Sequence, residues 1–152
     1  MAVLRDDPYG AFNFLVSIGG DQGDGSSGTI VGGFAEVTGL AVTVEYAEYR
    51  NGNEKLSTPR KIPGLTRVHD VTLKRGLIGS LDLFTWLRSV SQGTPDPRDM
   101  TITLLDGERQ PVVTWRLRKA QPAAWSGPHL VASGNTIAME ELRVVCEGLE
   151  ME

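Results

Sequence analysis

From Leu40 to Arg50 the chain alternates with a period of two: Val42, Val44 and Tyr46 fall on one side, and Thr43, Glu45 and Ala47 on the other. The run Gly33-Phe34-Ala35-Glu36-Val37-Thr38-Gly39-Leu40 leads into it. Together they predict a strand hairpin whose second arm carries Glu45, Glu48, Tyr49 and Arg50, with one face toward a core and the other toward water or a partner.

The rest of the chain repeats this signal. Phe12, Phe14, Val16 and Ile18 alternate with Ala11, Asn13, Leu15 and Ser17, predicting a strand with its aromatic face inward after Pro8 and Gly10. Gly19 to Gly28 reads as a flexible tip, and Thr29 to Val37 as the next strand. Asn51 to Arg67 carries Gly, Asn, Ser and two prolines without a period and is expected as a long loop, the first candidate for a working surface. Val68 to Arg75 returns to strand, with His69, Val71, Leu73 and Arg75 on one side. One helix is predicted, with Ser80 as N-cap, Asp82 in the first turn, Leu83, Leu87 and Val90 at helical spacing, and Gly93 as its end. Thr101 to Leu105 and Val112 to Leu117 form a hairpin about Asp106-Gly107. Gln121 to Ser133 reads as irregular, and Asn135 to Cys146 as a last long strand.

With 152 residues the chain is expected to be a single domain, residues 1–152. Its 18 glycines and 8 prolines favour many turns over long helices. The fold class expected is mainly β: an antiparallel sandwich or barrel with one flanking helix. No apolar run reaches membrane-spanning length, and the first residues lack a signal-peptide pattern, so export by the usual signal is not expected. The single cysteine, Cys146, excludes an internal disulfide and a multi-cysteine zinc site.

A net charge of −4 argues against a protein that binds nucleic acid by neutralising phosphates. From Met1 to Arg50 the only cations are Arg5 and Arg50, against Asp6, Asp7, Asp21, Asp24, Glu36, Glu45 and Glu48. Between Asn51 and Arg75 the sign reverses: Lys55, Arg60, Lys61, Arg67, Lys74 and Arg75 face only Glu54 and Asp70. Such a boundary can be a solvated face. The sharper reading is that the two regions meet in different copies of the chain, where complementary charge fixes register.

Candidates for chemistry fall away on context. Gly23-Asp24-Gly25-Ser26-Ser27-Gly28 spells a dinucleotide-type pattern with Glu45 about twenty residues on, but that fingerprint opens a helix, and Thr29 to Phe34 is β-branched and glycine-rich. Asp21, Asp24 and Glu36 lack calcium-loop spacing. Cys146 could pair with His69 or His129 as nucleophile and base, yet cysteine is among the most often buried residues, and a core position is the better account. Trp86, Trp115 and Trp125 are expected in the core or at a subunit interface, and Arg116, Arg118 and Lys119 on a solvated strand face. No catalytic residue, metal or cofactor is expected.

Eight pieces, in order along nearly the whole chain, carry a resemblance. They are Asp7-Pro8-Tyr9 with Phe12-Asn13-Phe14, Gly33 to Leu40, Glu48-Tyr49-Arg50, Lys61-Ile62-Pro63-Gly64-Leu65, Val71 to Gly76, Leu104-Leu105-Asp106, Trp125-Ser126-Gly127-Pro128, and Glu147-Gly148-Leu149. In them the chain resembles the inner-tube proteins of contractile phage tails and extracellular contractile injection systems, which have an Hcp-like fold. It departs from that pattern at Cys146, often histidine in the family, and in a longer Gly19 to Gly28 tip.

The resemblance implies a non-enzymatic subunit whose hexameric rings stack into a hollow tube. The tube would pierce a target envelope and conduct DNA or protein effectors, with no sequence-specific nucleic-acid binding. It implies a surrounding sheath, a baseplate and a terminator or cap as partners, and assembly in the bacterial cytoplasm into a phage-like particle. A tube-initiating ring of the baseplate and a secreted Hcp-like carrier are the alternatives. The loop 51–67 is expected as the ring-to-ring contact, with Arg60, Lys61 and Arg67 facing acidic groups of the adjacent ring. Glu45, Glu48, Tyr49, Arg50, Pro63, Lys74 and Arg75 complete the expected interface. The polar faces of Leu40 to Arg50 and Asn135 to Cys146 are candidates for the lumen wall.

Overall fold

Strand β8 (Pro111–Ser126) organises the molecule, because it belongs to two sheets at once. Its first part pairs with β7 (Arg98–Leu105) on one side and β10 (Gly148–Met151) on the other. Its second part pairs with β9 (Met139–Val145). The structure, a computed structural model, describes residues 4–19 and 30–152. From β7 the sheet continues to β1 (Phe14–Ile18) and β2 (Ile30–Gly32); from β9 it continues to β6 (Val71–Gly76) and β3 (Glu36–Thr38). All of these pairings are antiparallel.

Of three register shifts along β8, the two near its middle bend it between its two sheets. Arg98 pairs with Ala120 but Met100 with Leu117, leaving an extra residue in β8 beside Lys119, which takes φ 50°. A second extra residue lies between Pro122 and Ala124. Bulges kink a strand and increase its twist, and a bulge tolerates Pro122, which has no N–H for the ladder. The result is a sandwich; among the described residues the sheet does not close into a barrel.

One cluster fills the space between the layers: Val16, Ile18, Met100, Ile102 and Leu117 from one, Val71, Leu73, Leu142 and Val144 from the other. Helix α1 (Asp82–Ser91) packs on β8 and adds Leu83 and Trp86. The inward positions follow the expected alternation in β1 and β6, except that β1 begins at Phe14 and Phe12, expected inward, precedes it and is exposed. Trp86 is buried and Trp115 and Trp125 pack against the core half-buried, as does Cys146.

Several expectations are corrected. Strand β5 (Arg60–Val68) occupies the second half of the segment 51–67 expected as loop, leaving residues 51–59 as the connection. Pro63 and Gly64 hid it by interrupting the apolar period. Residues 121–126, expected as irregular, are the end of β8, whose bulges and Pro122 break the pattern. The last strand begins at Met139, not Asn135, and is followed by β10. The single strand expected over 29–37 is replaced, among the described residues, by two short strands, β2 and β3. The helix is capped at Leu81 without a side-chain bond; Ser80 bonds Asp82 instead. In the 106–110 turn the left-handed residue is Arg109, φ 62°, while the Asp106 carboxylate accepts the N–H of Glu108 and Gln110, each at 2.9 Å. The expected tip and its glycine pattern at 20–28 lie outside the described residues.

Arg75 is the largest departure. It follows the inward alternation of β6 and is 3% exposed, so it offers no surface to another chain. Its Nε donates to Glu140 Oε1 on β9 at 2.5 Å, and its terminal nitrogens donate to the Asp82 carboxylate at the start of α1. Trp125 Nε1 donates to the second Glu140 oxygen at 3.0 Å, and the Phe34 ring centre lies 5.7 Å from the guanidinium. Burial pushes the Asp82 carboxyl up. Hydrogen bonds from Arg75, Ser80 and the Leu83 N–H, with the Arg75 charge, outweigh it and hold the group below its ordinary 3.8.

Two outcomes are expected. Arg75→Met leaves Glu140 buried and uncompensated and should lower unfolding free energy by about 3–5 kcal/mol in urea titration, whereas Arg75→Met with Glu140→Leu should recover much of that loss. The Asp82 contribution should be full well above pH 3.8 and shrink as pH falls through and below it. The Tm gap between the wild-type protein and Asp82→Asn should therefore narrow only at the acid end.

Candidate interaction surface

Strands β4 (Val42–Tyr49) and β5 form a ribbon outside the sandwich. Each pairs with the other, and among the described residues neither has a further strand partner or extensive contact elsewhere. Every residue of β4 is exposed, and in β5 only Val68, at the root, is half-buried. The alternation that predicted β4 was correct as to strand but not as to partner: the expected hairpin with the 33–40 segment does not form, because β3 pairs with β6 and β4 with β5. The apolar side of β4 faces no core.

Register explains what each face carries. Val42 opposes Val68, Val44 opposes Thr66, and Tyr46 opposes Pro63, so apolar side chains share one face. Between Val44 and Tyr46 the register shifts, giving β5 an extra residue beside Pro63 and Gly64. A Cβ at Gly64 would stand 3.2 Å from the Glu45 carbonyl oxygen, so the close approach at the bulge favours glycine. Val42, Val44, Tyr46 and Ile62 stay between 43% and 59% exposed, an apolar load that a free ribbon does not bury.

The ten residues expected at an interface divide clearly. Eight lie on or beside the ribbon, and several pair within it. Glu48 opposes Lys61 and forms an ion pair with it, Glu45 meets Arg67 at 2.6 Å, and Glu54 meets Arg60 at 2.7 Å. Tyr49 Oη donates to Asn51 Oδ1 at 2.6 Å, and Arg50 donates to the carbonyls of Leu56 and Glu54, fastening the 51–59 loop. Lys74 lies on β6, 3.9 Å from both Glu36 and Glu141. Arg75 is committed inside. The acidic and basic blocks separated in sequence are thus brought together within one hairpin.

These pairs are exposed, and exposed ion pairs contribute roughly 0–1 kcal/mol each, so they exchange partners at small cost. The solvated face expected to carry Arg116, Arg118 and Lys119 is a second charged strip, whose acidic partners the sequence did not indicate: Arg116 pairs with Glu152, Arg118 with Glu150 and Lys119 with Glu147, on and beside β10.

Nothing comparable supports chemistry. Among the described residues no group of three His, Cys, Asp or Glu side chains is placed to hold a metal. The Cys146 thiol is pushed up by burial and by the Asp70 charge, the opposite of nucleophile activation. His69 Nε2 lies 3.3 Å from Thr43 Oγ1 at the ribbon root. Among the described residues no helix is long and apolar enough to cross a membrane.

Comparison with known proteins places this architecture. The family model for the T4-like virus tail tube protein gp19 matches residues 10–150. A chain from the sheath-tube complex of an extracellular contractile injection system, PVC, in its extended state is 27% identical, with 95% of this chain and 91% of that one covered and a TM-score of 0.81. A chain from the anti-feeding prophage baseplate is 22% identical over 97% of each chain with a TM-score of 0.85. Hcp1 from Salmonella typhimurium shares the fold at 10% identity and a TM-score of 0.54, with 91% of this chain and 85% of that one covered. No curated protein matches the sequence.

An isolated two-stranded ribbon is at best marginally stable in water. In the isolated subunit the amides of β4 and β5 should therefore exchange with solvent through local opening, with protection far below that of β6 and β9. Hydrogen exchange read by NMR or mass spectrometry checks this; equal protection would mean the ribbon is supported within its own chain.

Proposed function

The chain belongs to the T4-like virus tail tube protein family and is a structural tube subunit; from that premise we propose that its copies form hexameric rings, stacked into a hollow tube, with the β4–β5 ribbon as contact between copies. The ribbon itself carries the reading. Its strands present apolar side chains and open edges that a single copy leaves bare, and open edges are templates for pairing with another chain. A contact between two different surfaces of the same chain repeats as an open filament when it does not close into a ring.

Apolar burial supplies the drive, and charge supplies the register. Glu45, Glu48, Tyr49, Arg50, Arg60, Lys61, Pro63 and Arg67 form the ribbon's share of the contact, with Lys74 beside it. On assembly the exposed pairs trade intrachain partners for interchain ones.

The named surroundings of related structures are a sheath-tube complex, a baseplate, a sheath/tube terminator and a tube-terminating cap. We assign this chain the same setting: a sheath around the tube, a baseplate at one end, a terminator or cap at the other, and DNA or protein effectors in the lumen. It acts without catalysis or cofactor. It assembles in the bacterial cytoplasm and then belongs to a phage-like particle.

Charge reversal at both Lys61 and Arg67 is expected to shorten tubes while leaving the sandwich folded. Negative-stain electron microscopy gives tube length, and circular dichroism gives the fold. Tubes of normal length from that double variant would remove the ribbon's charges from the contact, and a wild-type protein that stays monomeric at all concentrations would redirect the assignment to a tube-initiating ring.

A further inference from the structure

The sandwich is open at the end from which the ribbon springs. Phe14, Leu104 and Trp115 from one layer and Val37 and Leu40 from the other line a groove of about 260 Å³ there. Phe14, Val37, Leu40 and Trp115 pack on the core yet stay partly exposed, so the groove is the mouth of the core left uncovered. No residue of β4 or β5 lines it; the ribbon starts at Val42 and leads away. Its eight β4 residues, at about 3.3 Å each, carry the far end about 25 Å from the root.

Charge at the two places is opposite. Glu36 lines the groove, and together with Glu141 it shares the single ammonium of Lys74, two carboxylates against one cation. The far end of the ribbon holds Arg50, Lys55, Arg60 and Lys61 against Glu48 and Glu54, four cations against two anions. The same end exposes Tyr46, Tyr49 and Ile62. Apolar groove and acidic rim thus match apolar side chains and a basic tip supplied by the same sequence.

We propose that the groove of one copy receives the far end of the ribbon from a second copy, with Glu36 facing Lys61. This rests on the tube-subunit reading above and names the receiving surface. Tyr46, on the same face of the ribbon as Lys61, enters the mouth between Leu40 and Trp115, completing a core that a single copy leaves open, and the charges select register and orientation. Groove and ribbon are different surfaces, so each copy gives one contact and receives another.

Charge swap tests the pairing. Glu36 and Lys61 are both exposed, so neither reversal disturbs the core. Glu36→Lys and Lys61→Glu should each raise the concentration needed for tube assembly by about tenfold, and the Glu36→Lys/Lys61→Glu double variant should return it to within about threefold of wild type. If Glu36→Lys assembles like wild type, or the double variant is no better than the worse single, the groove is not the receiving surface although the tube reading stands. If wild type forms neither rings nor tubes under any condition, both fall. Cross-linking gives a second readout in a Cys146→Ser background. Mixing Leu40→Cys with Tyr46→Cys chains and adding a short bis-maleimide should give a covalent dimer that neither chain yields alone; absence of that dimer in preparations that contain tubes overturns the docking.

Discussion

The buried pair of Arg75 and Glu140 ties together β6, β9, the head of α1 and the end of β8. Arg75 on β6 meets Glu140 on β9 and Asp82 at the head of α1, while Trp125 near the end of β8 occupies the other Glu140 oxygen. Phe84 of α1 then packs edge-on against Trp125, with centroids 5.3 Å apart. Such a pair need not add net stability over apolar residues of equal volume, because desolvating two charges offsets much of their attraction. Its effect is on register. A slip of one residue would turn Arg75 to the surface and Val71 and Leu73 with it, and would strand Glu140 unpaired. The network therefore selects one alignment of β6 on β9 and one docking of α1 on β8.

That fixed frame lets the ribbon be built by different rules. Inside the sandwich, polar groups are satisfied and apolar ones covered: no buried side-chain nitrogen or oxygen among the described residues lacks a hydrogen-bond partner. Outside it, β4 and β5 keep apolar side chains half in water and charges paired only across an exposed hairpin. The two regions meet at Gly39, whose φ of 92° suits glycine and where a Cβ would collide with the Asp70 carbonyl oxygen. The root is thus held closely while the far end is free of the core.

How far the sequence revealed this depends on whether a side chain's partner lies nearby in the chain. Strands β1 and β6 and helix α1 were legible because their inward faces meet the core of the same chain. The alternation at Leu40 to Arg50 was equally clear, but a period of two does not say whether the apolar face meets its own core or another copy. Arg75 lay in the inward series with Val71 and Leu73; the expectation that arginine seeks a surface overrode a pattern that was correct. Strand β5 and the end of β8 were hidden because Pro63, Gly64 and Pro122 sit at bulges, where proline and glycine are compatible with pairing. The charge boundary was real, yet its meaning changed once the hairpin set Lys61 opposite Glu48.

A subunit that leaves apolar and edge surfaces bare must avoid joining wrongly before it joins correctly. Here the charges serve that purpose first. The net charge of −4 keeps separate copies apart at long range, and Glu45, Glu48, Lys61 and Arg67 line the ribbon with charged groups of the kind that discourage indiscriminate edge pairing. Because those groups are exposed, their intrachain pairs cost little to exchange when a correctly oriented copy arrives. At the proposed contact a misregistered copy would set like charges together, which is unfavourable. In the contact proposed above, the same residues would guard the free subunit and specify the assembled one, because they stay solvated while a subunit is alone and favour only a partner that matches both shape and sign.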